Sequence, residues 1–159
     1  MASLKEKMKE EIDFSGLKKE YDRKVVRKLS DMRDFYKDGR GKDRAIYQVF
    51  IKDYGRFLTG LTVINPGSVN KEYYMTKGHK HKKAGKEMYL LIKGKGKLVL
   101  ANKKAKVLDM KKNKIYIIPE YTGHRLVNDG NEVLEVLTIY SKDFGHSYGI
   151  DFGKRFFKK

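Results

Sequence analysis

The chain contains no cysteine and no tryptophan, only two prolines, and a single glutamine, Gln48. Without cysteine there is no disulfide framework, no zinc ribbon and no thiol nucleophile. No apolar run approaches the ~18 residues that a membrane-spanning helix requires. The start, MASLKEKMKEEI, sets no long apolar stretch behind its basic residues. A secretory leader is therefore not expected, and the expected compartment is the cytoplasm. Few thermolabile residues beside abundant lysine suit a thermophilic source.

What is present is enough for one globular domain of 159 residues. Hydrophobic residues make up 40%, which supports a core although 36% of residues are charged. The net charge of +17 is uneven: residues 41–110 hold 16 basic and 5 acidic residues, whereas residues 1–40 hold 12 and 9. A basic surface attracts nucleic acid, anionic lipid or an anionic substrate. The lysines are not interleaved with aromatics as in RNA-binding modules, so no specific nucleic-acid partner is expected. A membrane partner is not expected either.

Residues 1–40 read as an N-terminal arm with helical segments. Leu4, Met8 and Ile12 recur at four-residue spacing, and a second piece runs from Val25 to Phe35. From residue 41 to 159 the pattern is one of strands and turns. Strands are predicted over Ala45–Ile51, Phe57–Ile64, Glu72–Thr76, Met88–Ile92, Lys97–Leu100, Ala105–Asp109, Lys114–Ile118 and Val133–Tyr140. Gly94-Lys95-Gly96 is a hairpin turn, because glycine accepts the positive φ that such turns demand. Many short strands with regular turns predict an all-β barrel or sandwich. Pro66 and Pro119 both fall at strand ends, where a missing N–H does least harm.

Four histidines carry the chemistry. His79 and His81 are one residue apart, so on an extended segment both rings point to one face. Glu87 opens the next apolar strand and can add a carboxylate oxygen. His124, far along the chain, can close the set. Three nitrogens and one oxygen suit one divalent ion, Fe(II), Mn, Ni, Co or Zn, without choosing among them.

Gly78-His79-Lys80-His81, Glu87 and Gly94 together resemble the first cupin motif. Pro119, His124 and Asn128 resemble the second. Tyr121 stands where that second motif has glycine, Asn113 stands where an opening glycine is common, and the gap from His81 to Glu87 is slightly long. The fold implied is a cupin, a double-stranded β-helix or jelly-roll barrel, preceded by the helical arm.

The resemblance narrows further. VVRKLSDM, TVINPGSVNKEYYMTKGHKH, EMYLLIKGKGKLVL, GHRLVN and IYSKDFGHSYG are similar to stretches of the archaeal, cupin-type glucose-6-phosphate isomerases. That family implies a homodimeric aldose–ketose isomerase acting on a phosphorylated sugar in glycolysis and gluconeogenesis. It implies His79, His81, Glu87 and His124 as ligands of one divalent ion, Fe(II) foremost. It implies Thr62, Thr76, Gly78, Tyr140 and Tyr148 around the phosphate, with Tyr47, Tyr89 and His146 near the sugar. Glu87, Tyr89 and His146 would then be the catalytic residues.

Aldose–ketose isomerisation relocates a proton from C2 to C1. Glu87 is a candidate base, but a cation beside a carboxylate lowers its basicity. A hydride shift is the alternative route. Two other functions stay open at this point: another metal-dependent cupin acting on phosphorylated sugars, and a non-catalytic cupin that binds metal and sugar.

Overall fold

A computed structural model describes residues 11–159. Eleven strands are described: β1 (Arg23–Lys28), β2 (Ala45–Asp53), β3 (Phe57–Ile64), β4 (Ser68–Val69), β5 (Glu72–Tyr73), β6 (Glu87–Lys93), β7 (Lys97–Ala101), β8 (Ala105–Asp109), β9 (Tyr116–Ile118), β10 (Gly123–Val127) and β11 (Leu134–Ser141). One sheet has six strands in the order β1-β2-β3-β11-β6-β9, and a second has three in the order β10-β7-β8. A third sheet is the short pair β4-β5. Every pairing is antiparallel.

The alternation of side chains along these strands explains the two apolar clusters. In β6 the residues Glu87, Tyr89 and Leu91 are buried, while Met88, Leu90 and Ile92 between them are only partly so. One face of the large sheet contributes Tyr47, Ile64, Tyr89, Leu91 and Val136 to the main core, and Leu98, Val99, Leu126 and Val127 enter that core from the smaller sheet. Phe50, Leu61, Val63 and Leu137 lie on the other face, packed with Leu17. The fold is thus the all-β cupin arrangement.

The helical part of the N-terminal arm is less than the sequence suggested. Leu4 and Met8 lie outside the described residues. The second piece, Val25 to Phe35, is not one helix: its first part belongs to β1, which pairs with β2, and the rest is two 3-10 turns, Leu29–Asp31 and Arg33–Phe35. A further 3-10 turn spans Gly16–Lys18. Two-sided pairing opportunity along β2 outweighs the weak helical pattern of a Lys/Arg-rich segment. β10 and the two-residue β4 were not foreseen, and β5 is shorter than the predicted Glu72–Thr76 strand.

The motif departures have a geometric account. Tyr121 has φ 54° and Asn113 has φ 62°, so both keep the left-handed backbone that glycine takes most readily. The long gap between His81 and Glu87 is a turn anchored on Phe144, whose carbonyl accepts the Lys82 N–H at 3.0 Å and the Lys83 N–H at 3.1 Å.

Candidate metal centre and substrate pocket

The site is assembled from three separated pieces of chain. Gly78 begins it. Its φ is 74°, and a Cβ there would fall 2.6 Å from the Phe152 ring and 3.1 Å from the His124 carbonyl oxygen. The absence of a side chain lets residues 78–81 lie directly against β10. Reciprocal hydrogen bonds fix that contact: the His79 N–H donates to His124 O at 3.1 Å, and the His124 N–H donates to His79 O at 2.9 Å. β6 brings Glu87 to the same point as an inward residue.

His79 Nε2 lies 3.2 Å from His81 Nε2. Glu87 Oε2 lies 2.9 Å from His124 Nε2 and 3.0 Å from His81 Nε2. One donor atom from each of the four residues falls within 4.8 Å of all the others. The expectation that His79 and His81 share a face therefore matches the geometry, and Lys80 between them does not line the pocket.

These donors fit a cation. His124 Nδ1 is 2.9 Å from the Thr122 carbonyl, which can only accept, so that nitrogen carries its proton. In the neutral ring Nε2 is then a bare lone pair pointed at a carboxylate. Both Glu87 Oε2 and His124 Nε2 are buried without a hydrogen-bond partner of proper geometry. Orphaned buried acceptors facing one another are costly unless a positive charge sits among them. Protonation states agree with ligation. Burial pushes the Glu87 carboxyl up, but hydrogen bonding and positive charge from the His124 and His81 side outweigh it and bring the carboxyl down to about 2; where Nε2 is unprotonated, a cation among the donors would supply that charge. Burial, with the adjacent His124 imidazole adding to it, takes His79 down to about 2, leaving a neutral ring.

A pocket of about 260 Å³ opens onto this cluster. Every residue that the family resemblance assigned to substrate lines it: Tyr47, Thr62, Thr76, Gly78, Tyr89, Tyr140, His146 and Tyr148. His146 stacks edge-on against His79 with ring centroids 4.4 Å apart. Tyr148 is more than half exposed and forms the rim. Burial raises Tyr47 and Tyr89 and pushes Tyr140 up to about 12, so all three hydroxyls stay protonated near neutrality. The Thr76 hydroxyl oxygen accepts the Leu126 N–H at 3.0 Å, which leaves its own proton free to donate.

Three pocket features were not read from the sequence. Arg23 and Arg27 enter from β1, and Thr138 enters from β11. Arg27 was hidden by the helical reading of Val25 to Phe35, and Arg23 just precedes that segment. Arg125 is a further addition, just outside the pocket. Its buried guanidinium donates to Thr76 O at 3.1 Å and Lys77 O at 2.8 Å, and lies 4.3 Å from the Phe152 ring centroid. It thereby braces the backbone that leads into Gly78.

The profile of the family described as "Glucose-6-phosphate isomerase (GPI)" matches residues 2–154. The chain belongs to this family. It is an isomerase of the cupin type. The "Glucose-6-phosphate isomerase" of Pyrococcus horikoshii is 34% identical over 97% of this chain and 89% of its own length. That of Pyrococcus furiosus is 36% identical over 92% and 85%, and that of Thermococcus gammatolerans is 37% identical over 80% and 74%. Among solved structures, an oxalate decarboxylase from Lactobacillus farciminis superposes with a TM-score of 0.54 at 22% identity, over 64% of this chain. The present chain spans 31% of that enzyme, and the likeness identifies the cupin fold alone.

Proposed function

We propose that the protein interconverts glucose 6-phosphate and fructose 6-phosphate, in glycolysis and gluconeogenesis, with one divalent ion held by His79, His81, Glu87 and His124. The observation that carries this reading is the convergence of four donor atoms within 4.8 Å at one end of a pocket lined with hydroxyls. The curated relatives bear the name of that activity. Fe(II) is the first candidate ion, with Ni, Mn, Co and Zn compatible with the same donors. When bound, the ion would supply a positive charge that polarises the substrate carbonyl and favours negative charge on its oxygens.

The side chains divide the remaining work. Glu87 Oε2 is enclosed by imidazoles, so its role is to hold the ion and not to shuttle protons. His146 sits on the open side of the cluster, and burial followed by the charge of His81 lowers its pKa, so it is neutral near pH 7. A neutral imidazole facing the pocket can take the C2 proton at one nitrogen and return it to C1. The protonated hydroxyls of Tyr47 and Tyr89 donate to sugar oxygens. Thr62, Thr76, the Gly78 backbone, Tyr140 and Tyr148 receive the phosphate. The active form is a homodimer in the cytoplasm.

The test is a coupled assay on EDTA-stripped protein, repeated after adding each metal singly and run once in heavy water. Turnover should vanish on stripping and return with metal. Deuterium should appear at C1 of newly formed fructose 6-phosphate, or at C2 of newly formed glucose 6-phosphate, as a side-chain proton carrier that exchanges with water requires. Stripped protein that stays fully active rejects the metal assignment. Product without deuterium rejects His146 as the carrier and favours a direct hydride shift.

A further inference from the structure

β1 is the edge strand of the six-stranded sheet, and its inner face consists of Arg23, Val25 and Arg27. An apolar barrel wall would ordinarily place hydrophobic residues there. Two guanidiniums on that face, Arg27 half-buried and Arg23 exposed, instead present positive charge to the pocket, where an anion can meet it. Lys18, Arg40, Lys97, Lys142 and Arg155 each form an ion pair with a carboxylate. Among the described residues, neither Arg23 nor Arg27 has one. Glu87 is the one carboxylate lining the pocket among the described residues, and it is enclosed by the histidines. Lys77 also lines the pocket, but its ammonium is directed onto the Phe35 ring, 5.5 Å from the centroid.

The register fixes where the two arginines act. Arg27 pairs with Tyr47, Arg23 pairs with Ile51, and between them Val25 pairs with Val49, whose own partner on β3 is Thr62. The two arginines therefore straddle the Thr62 row. Their Cα atoms are about 13 Å apart along a strand, a span that two long side chains can close onto one group between them. Arg27 acts electrostatically on Tyr47, and Arg23 on Tyr140 and His146. Across the curved sheet, β1 lies four strands from β6, which carries Glu87.

We infer that Arg23 and Arg27 form an anion clamp on β1 that binds the terminal phosphate of the substrate and sets the preference for phosphorylated over free sugar. This rests on the isomerase reading for the identity of the substrate, but not for the clamp itself. Arg27, the less exposed of the two, makes the direct contact, because a planar guanidinium can engage two phosphate oxygens at once. Arg23, at the more exposed end of the strand, draws the anion in and closes on it. The clamp binds ground and transition states alike, so it acts on KM and leaves kcat nearly unchanged.

The test compares wild type with R27M, R23M and R27K, each first checked for unchanged metal stoichiometry and thermal midpoint. Initial rates with glucose 6-phosphate give KM, and inhibition by inorganic phosphate gives an independent measure of anion affinity. R27M should raise KM about tenfold or more, in line with loss of a hydrogen bond between charged groups. Phosphate inhibition should weaken by a similar factor. R23M should do the same to a smaller extent, and R27K should recover part of the loss. Unchanged KM and unchanged phosphate inhibition in both R27M and R23M would overturn the clamp while the isomerase reading stands. If wild type turned over no glucose 6-phosphate, phosphate binding read by calorimetry would take the place of rates. Loss of that binding in R27M would then uphold the clamp and reject the isomerase reading. Binding equal to wild type would overturn the clamp as well.

Discussion

His124 shows how much of the site is decided at single atoms. Its Nδ1 is committed to the Thr122 carbonyl at 2.9 Å, so the nitrogen that faces Glu87 is Nε2. Its backbone is tied to that of His79 by two hydrogen bonds, so the two residues keep a fixed main-chain spacing. Replacing it with alanine removes one of the four proposed ligands and opens a cavity in a fully buried position. His124→Ala should therefore lose bound metal and turnover together. Metal content by atomic emission, read beside the coupled assay, checks this. A His124→Ala protein that turned over normally without metal would refute the assignment. The same atom-level reasoning explains Asn128, which is completely buried. Its amide donates to the carbonyls of Ile64, Asn65 and Glu132 at 3.0, 3.2 and 2.9 Å, so the asparagine of the second motif ties loops together and does not touch the pocket.

At the scale of elements, the turn into β10 carries a visible cost. Tyr121 adopts φ 54° with its ring more than half exposed, so it bears the strain of the left-handed region without burial to offset it. Glycine would relieve that strain but lose more chain entropy on folding. The balance should favour Tyr121→Gly by about 0.5–1 kcal/mol, a rise of about 1–4 °C in Tm for a chain of this size. A melting curve reads it, and a lowered Tm would show that the ring makes a contact worth more than the strain. Legibility from sequence follows the same logic. β3 and β8 could be bounded to the residue because turn residues flank them: Tyr54-Gly55 and Asn65-Pro66-Gly67 around β3, and Asn102-Lys103-Lys104 before β8. β10 could not, since Gly123-His124-Arg125-Leu126-Val127 is buried throughout although two of its five residues, His124 and Arg125, are polar. β1 is nearly all Lys and Arg with two valines, a pattern that only pairing with β2 turns into a strand. The four metal-ligating candidates were legible because motif spacing survives in sequence, whereas Arg23 and Arg27 depended on knowing which face of a misread strand met the pocket.

At the scale of the whole molecule, two properties couple to the site. The net charge of +17 surrounds a pocket whose proposed substrate is a dianion. Long-range attraction of that kind speeds encounter and is screened over about 10 Å at 0.1 M salt. With the proposed sugar phosphate, kcat/KM should fall several-fold between 0.02 and 0.5 M sodium chloride while kcat holds steady. Equal loss of both would point to a salt effect on the fold instead. The metal couples to stability more directly. Its four candidate ligands come from residues 79–81, from β6 in the large sheet and from β10 in the small one. A bound ion thus cross-links the two sheets at the point where orphaned acceptors otherwise repel each other. Any ligand that binds the folded state alone stabilises it by mass action, by about 2.7 kcal/mol at a free concentration of 100 times Kd. For a domain of this length that corresponds to a rise of about 5–11 °C in Tm. Differential scanning calorimetry of EDTA-stripped protein, with and without added Fe(II) under anaerobic conditions, should show that shift. The His124→Ala protein should show little of it. Equal shifts in both proteins would place the ion elsewhere, and no shift in wild type would mean that the four donors do not hold it.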